Sequence, residues 1–268
     1  MLLRLWLIAA CMAAILGSAP MASAQDDDAA LTPAEPDVVV VNLPTTLRLP
    51  SFKGNFRLTH RFEGNLRTGT FGQQAGNLFG IDQGAIIGFE YRVGLPKGAQ
   101  AAFYRSSFDK TIQLHGEYGA LRQQHATTVS LSALVSIEGT DNFQEQFAPA
   151  VGVVVSRRFA TRAAVYLTPV WVHNSAASSH EHRDTTYIGT GGRLRFVGSA
   201  YVTGEIAFRA SGYAPDKPAY GVSLEKRVGA HMFSLTFTNT FGTTFAQLAR
   251  GGTANTLFLG FNLGRKFF

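Results

Sequence analysis

The sequence predicts an all-β fold, a single antiparallel transmembrane β-barrel of about 12 strands. Three observations predict it. From Phe52 onward, bulky apolar and polar residues alternate in runs of about ten, the length and period of strands that cross a bilayer. No later window is apolar for the roughly 18 residues a membrane helix needs, and no long segment keeps a helical period. The connections alternate in length, short on one side and long on the other, a rhythm that a soluble β-sandwich has no reason to keep.

The first residues, "MLLRLWLIAACMAAILGSAPMASAQDDD", carry Arg4, an apolar stretch and the small residues Ala22, Ser23 and Ala24. That pattern predicts a signal peptide over 1–24, cleaved near Ala24. Gly17, Ser18 and Pro20 interrupt it as a membrane anchor. Cys11, the single cysteine, lies inside this segment, and too little apolar length precedes it for a lipoprotein box. The exported chain is therefore expected to contain no thiol chemistry and no disulfide.

Residues 25–50 read as an acidic, Pro-containing periplasmic tail. "QDDDAALTPAEPD" is expected to be a solvated linker. "VVVVNLPTTLRLP", punctuated by Pro44 and Pro50, reads either as a short strand or as a periplasmic lead-in. The barrel itself is expected over 51–268, where 22 basic residues face 13 acidic ones. Its arginines alternate with apolar residues and do not cluster, which argues against nucleic acid and for anionic lipid or a small anionic solute.

The strands are expected near 52–63, 83–94, 98–106, 110–119, 126–138, 147–159, 162–173, 185–196, 199–210, 218–228, 231–241 and 254–267. In "AIIGFEYRVG", Ile87, Phe89, Tyr91 and Val93 oppose Glu90 and Arg92. In "TTVSLSALVSIEG", Val129, Leu131, Ala133, Val135 and Ile137 oppose Ser130, Ser132, Ser136 and Glu138. "AYGVSLEKRV" sets Tyr220, Val222 and Leu224 against Ser223, Glu225 and Arg227; "MFSLTFTNTF" sets Phe233, Leu235, Phe237 and Phe241 against Ser234, Thr236, Thr238 and Thr240. "LPKG", "AT", "VG" and "GA" form tight turns, whereas "GNLRTGTFGQQAGNLFGID", "GTDNFQEQ", "NSAASSHEHRD", "SGYAPDK" and "GTTFAQLARGGT" read as external loops. "SSFD" is short on the external side and breaks the rhythm. Boundary aromatics are expected at two levels, Phe56, Tyr91, Tyr118, Phe159 and Tyr201 at one, Phe62, Phe147, Trp171, Tyr187 and Phe208 at the other. Glycines in "YIGTGGRLRF" are expected to bend the wall and leave room for lumen side chains. "GTGG" there is no phosphate loop, since no helix follows it, and no cofactor is expected.

In the ending, "NTLFLGFNLGRKFF", Leu257, Leu259, Phe261 and Leu263 are expected to face lipid, with the last strand paired to the first around "FRLTHRF". Phe261, Leu263, Phe267 and Phe268 look like the aromatic signal read by the barrel-assembly machinery; Arg265 interrupts it, and its long stem can snorkel.

"NLPTTLRLP", "FRLTHRF", "GIDQGAIIGFEYRVG" and "YRSSFDKTIQ" resemble a bacterial outer-membrane β-barrel family that is a domain of unknown function. The likeness runs from about Val41 to the C-terminus and is strongest in the first third. It implies a barrel in the outer membrane of a Gram-negative bacterium and nothing about catalysis.

The expected lumen face collects Arg57, Arg61, Glu90, Arg92, His115, Glu117, Arg193, Arg195, Glu205, Arg209, Glu225 and Arg227. Such a set makes either a charged constriction or a salt-bridge network that fills the lumen. About twelve strands lie between a filled barrel and an aqueous channel, so both remain open. The loop histidines His173, His180 and His182 are weak metal candidates. His173–Ser175 and His182–Asp184 have the two-residue spacing used by outer-membrane hydrolases, without an identifiable oxyanion donor set. The expected function is a porin-like or transport-related channel and no enzyme; a non-conducting structural or adhesive barrel is the alternative, a membrane hydrolase the third.

Overall fold

The computed structural model describes residues 33–124, 127–176 and 183–267. The signal-peptide reading therefore falls on residues outside those described. Twelve strands form in chain order: β1 (Gly54–Asn65), β2 (Ala85–Gly94), β3 (Ala99–Ser106), β4 (Ile112–Leu121), β5 (Ser130–Thr140) and β6 (Glu145–Phe159). They continue as β7 (Ala163–Val172), β8 (Thr185–Val197), β9 (Ala200–Gly212), β10 (Ala219–Val228), β11 (His231–Thr238) and β12 (Phe258–Phe267). Each pairs antiparallel with its chain neighbours, and β12 closes on β1 through Leu58↔Leu263 and His60↔Phe261. Closure leaves no unpaired edge, which a bilayer interior demands because nothing there can satisfy a bare backbone group.

The period-two alternation sets which way each side chain points. Phe89, Phe103, Leu114, Val135, Leu224 and Phe233 stand exposed on the outside, while their neighbours Glu90, Tyr104, His115, Leu134, Glu225 and Ser234 are buried. A barrel with an apolar exterior and a polar interior is stable only if hydrocarbon wets its outer face.

Two of the expected boundary aromatics are corrected. Tyr187 and Tyr201 are buried and point inward, because Ile188 and Val202 take the outward positions of β8 and β9. Tyr91, Tyr118, Phe159, Phe147, Trp171 and Phe208 are exposed as anticipated.

Both ends of the barrel strand set, Gly54 and Phe267, lie at one mouth together with the turns 95–98, 160–162, 198–199 and 229–230. This is the turn end. The turn over 122–129 is the longest there. The opposite, loop end carries the long 66–84 connection with helix α1 (Phe71–Gly76), and the shorter "SSFD" turn, where Ser106 Oγ accepts the Phe108 N–H at 3.1 Å. The connection between β11 and β12 contains helix α2 (Phe245–Arg250).

Candidate functional site: the occupied lumen

Residues 34–47, ahead of β1, are no solvated tail. From Ala34 to Leu47 every residue is buried, and the apolar run sits inside the barrel. The chain turns back at Val41–Asn42: Val40 N–H donates to Leu43 C=O at 2.9 Å, Thr45 N–H to Val38 C=O at 3.0 Å, and Val39 bridges Pro44. Pro44 has no N–H to lose on the side of the hairpin that faces no partner. Of the acidic linker expected over 25–37, residues 25–32 lie outside those described; its described end is not solvated, because Glu35 and Asp37 are buried against the wall, with Asp37 Oδ1 3.0 Å from Lys266 Nζ.

The hairpin reaches in from the turn end and returns to it. Near that end Gln100 of β3 brackets the returning arm, donating from Nε2 to Leu47 C=O at 2.9 Å and accepting the Leu49 N–H at 3.2 Å. Thr46 and Ser156 share a hydroxyl bond of 2.5 Å. At the tip, Glu205 of β9 accepts N–H groups from Val41, Asn42 and Leu43. Arg61 Nη2 donates to Asn42 Oδ1 at 3.1 Å, Asn262 Nδ2 to Val41 C=O at 3.1 Å, and Arg193 Nη2 to Val39 C=O at 2.7 Å. The partners come from β1, β3, β6, β8, β9 and β12, which is possible only for a segment surrounded by the wall. Among the described residues, the stretch 34–50 makes no ladder bond to any strand; side chains alone tether it.

The wall leaves space for it. A Cβ on Gly189 would lie 2.7 Å from Leu43 Cδ2, and one on Gly221 would lie 3.1 Å from Val41 Cγ1. These inward glycines are where the tip sits.

From the other end, the β11–β12 connection folds inward, correcting its reading as an external loop. Phe245 through Ala249 are buried. Thr244 caps α2, accepting the Gln247 N–H at 3.4 Å while Gln247 Oε1 accepts the Thr244 N–H at 3.3 Å, a capping box that satisfies donors the helix leaves free. Glu138 of β5 adds a carboxylate at the same helix end, accepting from Thr244 Oγ1 at 2.8 Å and Ala246 N–H at 3.1 Å. At the far end Arg209 Nη1 donates to Arg250 C=O at 2.7 Å. Val40, Val41 and Leu43 of the hairpin join Phe245, Leu248 and Ala249 of α2 in one apolar cluster with Val154, Tyr166, Val170 and Tyr187 of the wall. The two insertions thus share one apolar cluster inside the barrel. Between them remains a water-sized polar cavity lined by Asn42, Arg57, Glu90, Tyr104, His115 and Thr243, among others.

Of the residues assigned to the lumen from sequence, Arg57, Arg61, Glu90, Arg92, His115, Glu117, Arg193, Glu205 and Glu225 are buried inside. They pair as Arg57–Glu90 at 2.9 Å, Arg92–Glu117 at 3.0 Å and Arg193–Glu225 at 2.8 Å, with Arg92 also 3.4 Å from Glu90. Arg195 and Arg227 stand half-buried at the turn end, where Arg195 Nε turns back to Gly198 C=O, and Arg209 stands at the loop end. Sequence reasoning assigned no role to Asn42, Glu138, Asn262 or Lys266. Lys266 was identifiable, since its parity is opposite to that of outward Phe267.

The loop histidines do not assemble a hydrolase among the described residues. His173 Nδ1 lies 2.7 Å from Asp184, but Ser175 Oγ is engaged by Thr185 Oγ1 at 2.6 Å and donates to Arg183 C=O at 3.0 Å. His180 and His182 lie outside the described residues, as does Phe268. No group of three or more metal-ligating side chains occurs among the described residues. Phe261, Leu263 and Phe267 take the outward positions of β12.

The solved structures with a similar course are barrels. The NanC porin aligns with a TM-score of 0.51 at 8% identity, over 80% of this chain and 99% of its own, which establishes a common fold. The KdgM porin aligns over 81% of this chain and 98% of its own at 7% identity, with a TM-score of 0.48. A triple mutant of the Rhodopseudomonas blastica porin aligns over 68% and 55% at 13% identity and a TM-score of 0.36. No curated protein sequence matches the chain. Residues 37–267 match the family described as a membrane bound beta barrel domain, DUF5777, a match that takes in the lumen hairpin as well as all twelve strands, and the chain belongs to that family.

Proposed function

We propose that this is a transport-related barrel of the bacterial outer membrane, with its turn end toward the periplasm, held shut by its own N-terminal hairpin and by α2. The observation that carries this reading is the way the hairpin is attached. It comes in and goes out by the same mouth and shares no ladder bond with the wall, so it can leave without opening the barrel.

The wall supports a lumen that meets water at times. A permanent core gains nothing from buried ion pairs over apolar side chains of similar volume. Yet four such pairs line the wall's interior, and Arg57 Nη1, Arg193 Nη1, His115 Nε2 and the hydroxyls of Tyr166 and Tyr187 have no partner among the described residues. Burial of Val40, Val41 and Leu43 contributes roughly 1.5–3 kcal/mol each. The resting barrel is therefore predominantly closed. Arg195 and Arg227 make the turn-end mouth basic, which favours a small anionic solute as cargo.

The competing reading, a non-conducting structural barrel, draws on the apolar cluster that joins hairpin and α2. Planar-bilayer recording separates the two. The full chain should be silent, and a variant lacking residues 34–47, with 242–252 replaced by a short Gly-Ser turn, should conduct with a reversal potential on the anion side. A folded, heat-modifiable double variant without channel events would establish the structural role.

A further inference from the structure

Charge is one-sided at the turn end. Lys97, Arg122, Arg157, Arg162, Lys226 and Arg265 are exposed or half-exposed there, and among the described residues no aspartate or glutamate at that end is. Its acids, Glu35, Asp37, Glu117 and Glu225, are all buried. The loop end mixes both signs, with Glu63, Asp82, Asp109 and Asp184 exposed beside Arg67, Lys110 and Lys217.

Three of these cations face outward from the barrel and not into its mouth. On β6, Arg157 continues the face of Val151, Val153 and Val155; on β12, Arg265 continues that of Phe261 and Leu263; on β10, Lys226 continues that of Val222 and Leu224. Arg157 Cζ lies 5.3 Å from the centroid of the Phe159 ring, and Arg265 Cζ lies 5.2 Å from that of Phe267. Both strands run toward the turn end, so each guanidinium leans over the next outward ring, away from the aliphatic band and toward the rim. That is the posture of a charge snorkelling to the headgroup level, with its stem left among acyl chains. The ring beneath adds a cation–π contact.

We infer that this girdle binds anionic phospholipid headgroups, selecting them over zwitterionic ones in the leaflet at the turn end. β6 and β12 lie across the barrel from each other. A single acidic protein, or the few aspartates of the chain's own N-terminus, would engage one side only, whereas lipid surrounds the whole circumference. The inference needs the barrel to sit in a membrane and is independent of whether its lumen opens.

The test uses the full chain in phosphatidylcholine bilayers with a trace of spin-labelled phosphatidylglycerol or spin-labelled phosphatidylcholine, and reads the motionally restricted fraction of each. At low salt the anionic label should associate more strongly, on the order of fivefold, and the preference should shrink at high salt. The R157Q/K226Q/R265Q variant should lose the preference, and R67Q/K110Q/K217Q at the loop end should retain it. Five of the six positions are exposed and Lys226 is partly exposed, and heat-modifiability checks that both variants fold. Equal association of the two labels with the unaltered protein would overturn the inference and leave the girdle to an acidic protein partner. So would a preference that survives the first variant.

Discussion

Glu205 holds Asn42 twice: Oε2 accepts the Asn42 backbone N–H at 2.9 Å and Oε1 accepts Asn42 Nδ2 at 2.9 Å. The same Oε2 takes the N–H groups of Val41 and Leu43 at 3.0 and 2.9 Å, so three successive amides converge on one oxygen. Successive amides in a tight turn form a concavity for an anion, and a carboxylate held there makes bonds stronger than neutral ones.

Glu205→Gln should therefore release the hairpin tip while leaving the barrel closed on itself. The amide nitrogen that replaces one oxygen donates where the site needs an acceptor. A loss of about 1.5–3 kcal/mol is expected, which raises the undocked population roughly tenfold to a hundredfold. Limited trypsin digestion reads it as faster cleavage after Arg48, whose side chain is tied to Leu121 C=O at 2.9 Å in the docked state. Cleavage at the same rate as in the unaltered protein would mean that Glu205 does not latch the hairpin.

The seat of the tip can be tested from the wall. Gly189→Val should push the hairpin out, because even a Cβ there approaches the Leu43 methyls at 2.7 and 2.8 Å. Overpacking of this kind is destabilising by about 1–3 kcal/mol. Leu43→Ala in the same chain should restore docking by vacating the contested volume. The double-mutant cycle measures the coupling directly, and additivity of the two substitutions would show that they do not share a contact.

The loop-end insertion has its own anchor. Glu138 accepts from Thr244 Oγ1, Ala246 N–H and Gln113 Nε2, at 2.8, 3.1 and 3.0 Å. Thr244→Ala removes one of these bonds together with the α2 cap, a change of about 1–2 kcal/mol. Ala249 is fully buried in the docked helix, so a cysteine placed there in a chain lacking Cys11 reports release. Labelling by a membrane-impermeant maleimide added to the loop end should be slow in the parent and several-fold faster with Thr244→Ala. The Glu205→Gln change should leave that rate unaltered, because it acts on the other insertion.

The twelve strands were legible because a membrane barrel writes its two environments into alternate residues. Phe89 and Glu90, or Leu224 and Glu225, declare opposite faces without any knowledge of their neighbours. Closure was legible too, since the Leu259–Phe261–Leu263 face has to continue into another strand. Parity failed at Tyr187 and Tyr201: Gly189 and Gly191 leave the inward face of β8 unmarked, and Gly192 and Gly204 interrupt the outward faces of β8 and β9. The hairpin was illegible for a different reason. "VVVVNLPTT" is buried on all sides by wall residues from six strands, so it carries no period, and a lead-in strand would have the same composition. A local trace was the inward glycines Gly189, Gly191 and Gly221, whose spare volume matches Leu43, Val40 and Val41. For "GTTFAQLARGGT", the capping box Thr244–Gln247 marks a helix start, but nothing in the sequence says that the helix turns inward.

Arg193 joins the wall network to the hairpin, and its removal separates the two. Its Nε lies 2.8 Å from Glu225 Oε2, with the two side chains 0% and 1% exposed, and its Nη2 donates to Val39 C=O at 2.7 Å. Arg193→Met leaves a buried carboxylate without its cation and should destabilise the barrel by about 3–5 kcal/mol, read as a lower urea midpoint in detergent. Glu225→Met leaves the converse charge and should cost about as much. In R193M/E225M neither charge remains, so the barrel midpoint should return close to that of the parent. Hairpin protection at Arg48 should not return with it, because Val39 C=O has lost its donor in both the single and the double variant. Recovery of the urea midpoint without recovery of protease protection is the outcome expected if Arg193 serves the wall through Glu225 and the hairpin through Val39. Recovery of both would show that the Val39 bond contributes nothing to docking.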